Sequence, residues 1–240
     1  MVLAVMLLFV APIMAFGAYQ YSNGWPQSWN SADWSATGTA PDPAEETRAI
    51  IRIYAARTGR WKSIFAVHTW IAVKPENANQ WTRYDVVGWG KPLRRNAYPV
   101  DGRWYSNPPE VIYELKGQEA TFLIPKIIAQ IARYPYSQRG DYAIWPGPNS
   151  NTFVATIVRS VPGLDVELPA TAIGKDFLGT GFMASPMPSK TGWQASWNGM
   201  IGAGISWHEG FELHVLGTTL GVNPMQLAIK LPGIGRISAR

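Results

Sequence analysis

Cysteine is absent from the 240-residue chain. That excludes a disulfide framework, a cysteine-ligated metal and a thiol nucleophile. Charge is sparse: 15% of residues are Asp, Glu, Lys or Arg, against 47% that are hydrophobic. Such a chain can bury a sizeable core, which argues against wholesale disorder. Residues 1–18 carry no charge, and the first cation is Arg48. The basic start of a secretory signal is therefore missing, and the positive-inside rule gives no orientation. Internal repeats, low-complexity tracts and nucleic-acid-binding motifs are missing too, so no nucleic-acid partner is expected.

What is present is a net charge of +5, which suits anionic surroundings such as phospholipid head groups or acidic wall polymers. The cations are spread along the chain, with one modest cluster from Lys91 to Arg103, and read as a solvated basic surface. The twelve tryptophans suit cores, ring stacking and membrane interfaces alike, so they carry no single meaning.

Composition shifts divide the chain. Residues 1–18, "MVLAVMLLFVAPIMAFGA", are long enough at ~1.5 Å per residue to cross a bilayer core. They read as a membrane anchor, with a signal segment as the alternative. Residues 19–41 are polar, aromatic and rich in Gly, Pro and Ser, as expected of a connector leaving the membrane. Residues 42–162 are expected to form an α+β core, and residues 163–240 a loop-rich and β-rich extension of the same domain. No cofactor or metal is called for.

Within the core, "DPAEETRAIIRIYAARTG" has helix punctuation: Asp42 as cap, Pro43 in the first turn, Ile50, Ile53 and Tyr54 on one face and Gly59 as the stop. "SIFAVHTWIAVK" (63–74) reads as a buried strand, with Phe65, Val67, Thr69, Ile71 and Val73 on one side and Ala66, His68, Trp70 and Ala72 on the other. "WTRYDVVGW" should pair with it as a hairpin, and "EVIYELKG" is a third strand. In "QEATFLIPKIIAQIARY", Pro125 predicts a short turn followed by the main helix, buried along Ile127, Ile128, Ile131 and Ala132. Thr152 to Ser160 is helical and stops before Pro162. After the loop-like "LPATAIGKDFLGTGFMASPMPSKTG", short alternating runs broken by glycine predict an antiparallel β-meander.

The chemistry-bearing stretch is "WPGPNSNTFVATIV" (145–158). Acyl transfer by a hydroxyl needs an adjacent base, a group that orients the base, and donors for the oxyanion such as free N–H groups at a helix N-terminus. Ser150 stands at such a start, His68 on a strand could be the base, and Asp85 or Glu114 on the following strands could orient it. The plain alternatives are that Ser and Asn are ordinary helix caps and that His68 is a satisfied core histidine. Asn149, Asn151, Trp145 and Trp70 flank the pair as candidate binding residues. A second cluster, "WHEGFELHV", puts His208, Glu212 and His214 on one side of a strand. His208 and His214 lie about 20 Å apart along a strand at ~3.3 Å per residue, too far to share one ion unless the strand bends at Gly210.

The order of elements carries a resemblance: His on a strand, two further strands, a helix, then Asn-Ser-x-x-Phe opening another helix. Residues 60–160 resemble the circularly permuted NlpC/P60 (papain-like) superfamily, which includes the lecithin retinol acyltransferase-like proteins. The resemblance implies a papain-like core with His68 as base and Asp85 as orienter. Asn149 and Phe153 match that family's Asn-Cys-x-x-Phe pattern, and Ser150 stands where the pattern has its thiol. More closely, "IYAARTGRW", "HTWIAVKP", "YDVVGWG", "YPYSQRGDYAIWPGPNSNTF", "LPATAIGKDF" and "KLPGIGRI" resemble a bacterial family called domain of unknown function 3750. That resemblance implies no activity. Two readings stay open. One is a membrane-tethered cell-envelope module without catalysis, in the periplasm or on the outer face of the inner membrane, with a cell-wall or lipid ligand. The other is a serine-dependent hydrolase or acyltransferase acting on an amide or ester.

Overall fold

The computed structural model describes residues 2–25 and 28–239, with the side chains of residues 2–6 excepted. The chain opens with α1 (Val2–Ser22), which contains Pro12 and no charged residue. Residues 1–6 of the expected membrane segment lie outside the described side chains, and among the described residues no helix is long and apolar enough to cross a membrane. Helix α1 rests on a short 3-10 turn, Arg60–Ile64, and the Arg57 guanidinium lies 4.4 Å from the Phe16 ring centre.

Strands β1 (Ile50–Arg57), β2 (Val67–Lys74), β3 (Thr82–Val86), β4 (Leu93–Arg95) and β5 (Glu110–Lys116) follow. They form one antiparallel sheet in the order β4-β3-β2-β1-β5. Strand β1 corrects the expected helix over 42–58. Ile50, Ile53 and Tyr54 fit a helical face, but Ile50 and Ile51 point to opposite sides of the sheet and both are fully buried. A helix would have left one side of this β-branched run in water. Asp42 still caps, though only a turn: its carboxylate accepts from the Ala44 N–H at 2.8 Å.

Helices α2 (Gln118–Ala132) and α3 (Ser150–Ser160) cover one face, packing on Ile51, Ile53, Val67, Ile71 and Val73. Pro125 sits inside a continuous α2 instead of starting it. It is exposed, so the carbonyl its ring deprives of a partner can turn to water. The buried stripe is Ala120, Leu123, Ile124, Ile127 and Ile131; Ile128 and Ala132 face out.

Among the described residues no helix covers the opposite face. The connector and the loop before β5 lay an aromatic blanket over it, in which Trp34, Tyr98, Trp104 and Tyr105 pack on Trp70, Ala72 and Tyr54. The C-terminal part is a sequential meander in the order β12-β11-β10-β9-β8-β7-β6. Its strands are β6 (Phe182–Pro186), β7 (Gly192–Trp197), β8 (Ile201–Ser206), β9 (Gly210–Val215), β10 (Thr218–Asn223), β11 (Ala228–Leu231) and β12 (Gly235–Ser238). β6 lies inside the stretch expected to be loop. Mixed helix and antiparallel sheet make the chain α+β.

Candidate functional site

The sheet supplies an imidazole tied to a carboxylate. By strand alternation His68, Arg83 and Asp85 all point under the aromatic blanket. His68 Nε2 lies 2.9 Å from Asp85 Oδ1, so Nε2 carries the donated proton and Nδ1 is the basic nitrogen. Asp85 is fully buried and also accepts two bonds from the Arg83 guanidinium, at 2.7 and 2.9 Å. Arg83 donates in turn to the Pro99 carbonyl and lies 3.9 Å from the centre of the Trp70 ring. Trp104 stacks on the imidazole at 3.7 Å with the planes 9° apart.

The electrostatics follow from burial and pairing. Burial holds the His68 pKa below its ordinary value, and the hydrogen bond His68 donates to Asp85 opposes this only in part. Burial alone would raise Asp85, but the Arg83 charge and the bonds from His68 and Arg83 hold it below the usual carboxylate range. The group is thus an ionised carboxylate between a guanidinium and a neutral imidazole.

The start of α3 is built separately. Asn149 is its cap, with its carboxamide oxygen accepting from the Asn151 and Thr152 N–H groups and the Thr152 hydroxyl accepting from the Asn149 N–H. Ser150 is the first helical residue, not the cap. The ladder between β2 and β3 covers only Ile71–Val73 and Thr82–Tyr84. Ahead of it, α3 and the chain near Thr171 fill the place of the missing strand. Val67 donates to the Thr171 carbonyl at 3.1 Å and accepts from Asn151 Nδ2 at 3.0 Å. The Thr69 hydroxyl donates to Asn151 Oδ1 at 2.9 Å.

These contacts place each candidate. Asp85 meets His68. Ser150 lies beside Thr69, whose side chain faces α3, whereas His68 faces the aromatic blanket. Among the described residues no hydrogen bond joins the Ser150 hydroxyl to His68. Glu114 bonds Arg52 instead of the imidazole. The Asn149 and Asn151 carboxamides are consumed by internal bonds, both also donating to the Ile173 carbonyl. Trp70 has 0% exposure and its N–H is committed to Val100, so it offers no surface to a ligand. Trp145 is exposed, and its N–H donates to the Leu216 carbonyl.

Sequence reasoning missed Arg83 and Trp104. Arg83 could have been found, since it sits two residues before Asp85 on the same side of a strand. Trp104 comes from an irregular loop whose sequence gives no sign of where it folds back.

The second cluster divides as well. Glu212 and His214 are buried on β9, while His208 lies in the preceding turn, exposed and 3.9 Å from Glu167. Glu212 is held by Lys175 and Lys230 at 3.0 and 2.6 Å, which bring its carboxyl down to about 2 against the opposing effect of burial. Among the described residues no group of three or more metal-ligating side chains is gathered. A cleft of about 920 Å³ lies elsewhere, between β1, β5 and the meander, lined in part by Arg57, Glu110, Glu167, His208 and Arg236.

Residues 48–177 match the model of a family described as "Protein of unknown function (DUF3750)", which is more than half of the chain. The chain belongs to this family. The match spans β1 to β5, both covering helices and the segment through Phe177, and so contains His68, Asp85 and Ser150. The DUF3750 match stops before the meander. No curated protein and no solved structure matches the chain.

Proposed function

We propose that this chain is a membrane-tethered module of the bacterial cell envelope, exposed on the periplasmic or outer side of the inner membrane and without hydrolytic activity. Its core is papain-like in element order, with the nucleophile position given over to helix architecture. The observation that carries the reading is the position of His68: its ring lies under Trp104, and among the described residues no hydrogen bond joins it to the Ser150 hydroxyl. A general base has to reach the proton it removes. The tether rests on the charge-free α1, and the module's ligand, a wall fragment or a lipid, would use the charged cleft.

A second reading is favoured by one feature. The His68–Asp85 bond is of the kind that orients a catalytic base, and α3 starts against the same strand, so a rearrangement that carried Ser150 round to the imidazole would complete a Ser150–His68–Asp85 set. A serine-reactive fluorophosphonate, applied to the full chain in detergent together with ester and amide substrates, separates the two. The module reading expects no labelling and no turnover. Labelling that disappears in both Ser150→Ala and His68→Ala would overturn it in favour of a serine hydrolase.

A further inference from the structure

The meander is inside out. A half-buried strand in water normally turns its polar residues outward. Here the buried side carries Gln194, Glu212, His214, Thr219, Asn223 and Lys230. The open side carries an apolar row that follows the register from strand to strand: Trp193 opposite Ile205, then Phe211, Val222, Ile229 and Ile237, all of them exposed. The next row on this face runs Ala184, Ala195, Ala203, Leu213, Leu220, and the row beyond it Phe182, Trp197, Ile201, Val215, Thr218; neither holds a charge. Seven strands about 4.8 Å apart and four to six residues long make a face of roughly 600 Å², at the upper end of what a monomer leaves exposed.

Helix α1 packs against β10 and β11, and its exposed residues, Leu7, Leu8, Val10 and Met14 among them, add to the apolar surface. A lipid surface would cover the sheet and the exposed helix residues together, continuous with the proposed tether. The strands, at most about 20 Å long, are too short to span a hydrocarbon core of ~30 Å, so this face would lie along the membrane and not cross it. Trp193 and Trp197 then sit where tryptophan partitions best, and the net charge of +5 suits an anionic leaflet.

We propose that the open face of the meander is a lipid-contact surface that seats the protein on the bilayer beside its helical tether. This inference rests on the tether proposed above. The absence of cysteine makes it directly testable, because a single introduced thiol can be labelled without background. Full-length Met14→Cys, Ile205→Cys and Glu119→Cys, each carrying an environment-sensitive fluorophore, are placed in phosphatidylethanolamine/phosphatidylglycerol vesicles at less than one protein per vesicle. The expected result is that the Met14 and Ile205 labels enter an apolar environment. Their exposure to an aqueous quencher should fall on the order of tenfold, while Glu119 on α2 stays in water. Met14 in lipid with Ile205 in water would overturn the lipid-contact face and leave the tether standing. All three in water would overturn both. An apolar Ile205 label that needs no lipid, or that follows protein concentration, would assign the face to a second copy and likewise overturn the proposal. Ile201→Cys, exposed on the same strand and the same face, repeats the measurement should Ile205→Cys misfold.

Discussion

Removing the Asp85 carboxylate tests whether His68, Arg83 and Asp85 form one electrostatic unit. Asp85→Ala deletes both Arg83 bonds and the bond from His68. It leaves a guanidinium with 1% exposure and a buried imidazole N–H without their acceptor. Breaking a buried ion pair costs about 3–5 kcal/mol, and an orphaned donor about 1–3. Arg83 keeps the Pro99 carbonyl and the Trp70 and Tyr98 rings, which offsets part of the loss. The expected penalty is therefore about 4 kcal/mol. Arg83→Met with Asp85→Leu removes both charges and should recover about half of it, leaving mainly the stranded His68 N–H. The assay is urea unfolding of the full chain in detergent, followed by far-ultraviolet circular dichroism, for Asp85→Ala, for Arg83→Met and Asp85→Leu singly, and for the double variant. A cost below ~1 kcal/mol for Asp85→Ala, or single-variant penalties that simply add, would refute the unit.

Two further outcomes follow from the same kind of accounting. The Glu212 carboxyl titrates near 4.5 when unpaired and near 2 in the fold, so its ion pairs stabilise fully above about pH 4.5 and are lost as pH falls toward 2. The loss is on the order of 3 kcal/mol. Urea midpoints across this window should fall less steeply in Glu212→Gln, and an unchanged slope would mean that Glu212 is not the titrating group. Gly174 has φ +90°, and a β-carbon there would lie 2.5 Å from Asn149 Nδ2. Gly174→Ala should cost about 2–3 kcal/mol and speed hydrogen exchange at the Asn151 and Thr152 amides, whose cap it displaces. Normal protection would show that Asn149 does not depend on this approach.

Side-chain alternation made β2 legible from Val67 onward, including which residues share its faces, because a two-residue period is a local property of the chain; Ser63 to Ala66, expected in the same strand, belong instead to the 3-10 turn Arg60–Ile64 and the two residues that follow it. Local patterns also marked β3, β5, α3 and the meander, and the polar start at Asn149. The same logic failed at β1, since Ile50, Ile53 and Tyr54 satisfy a helical spacing as well as an extended one. Only pairing with β2 and β5, and cover on both sides, selects the strand. The site was legible in part: Asp85 beside His68 follows from two neighbouring strands whose parity agrees. That Arg83 and Trp104 close over the imidazole did not follow from local pattern, nor did Thr69 placing Ser150 on the side of β2 away from it. Those facts depend on a loop folding back and on where the β2–β3 ladder ends. The sequence by itself determined composition, alternation and caps, which are set within a few residues. Tertiary structure decided which face of each strand is covered and by what, because burial is a property of neighbours distant in the chain.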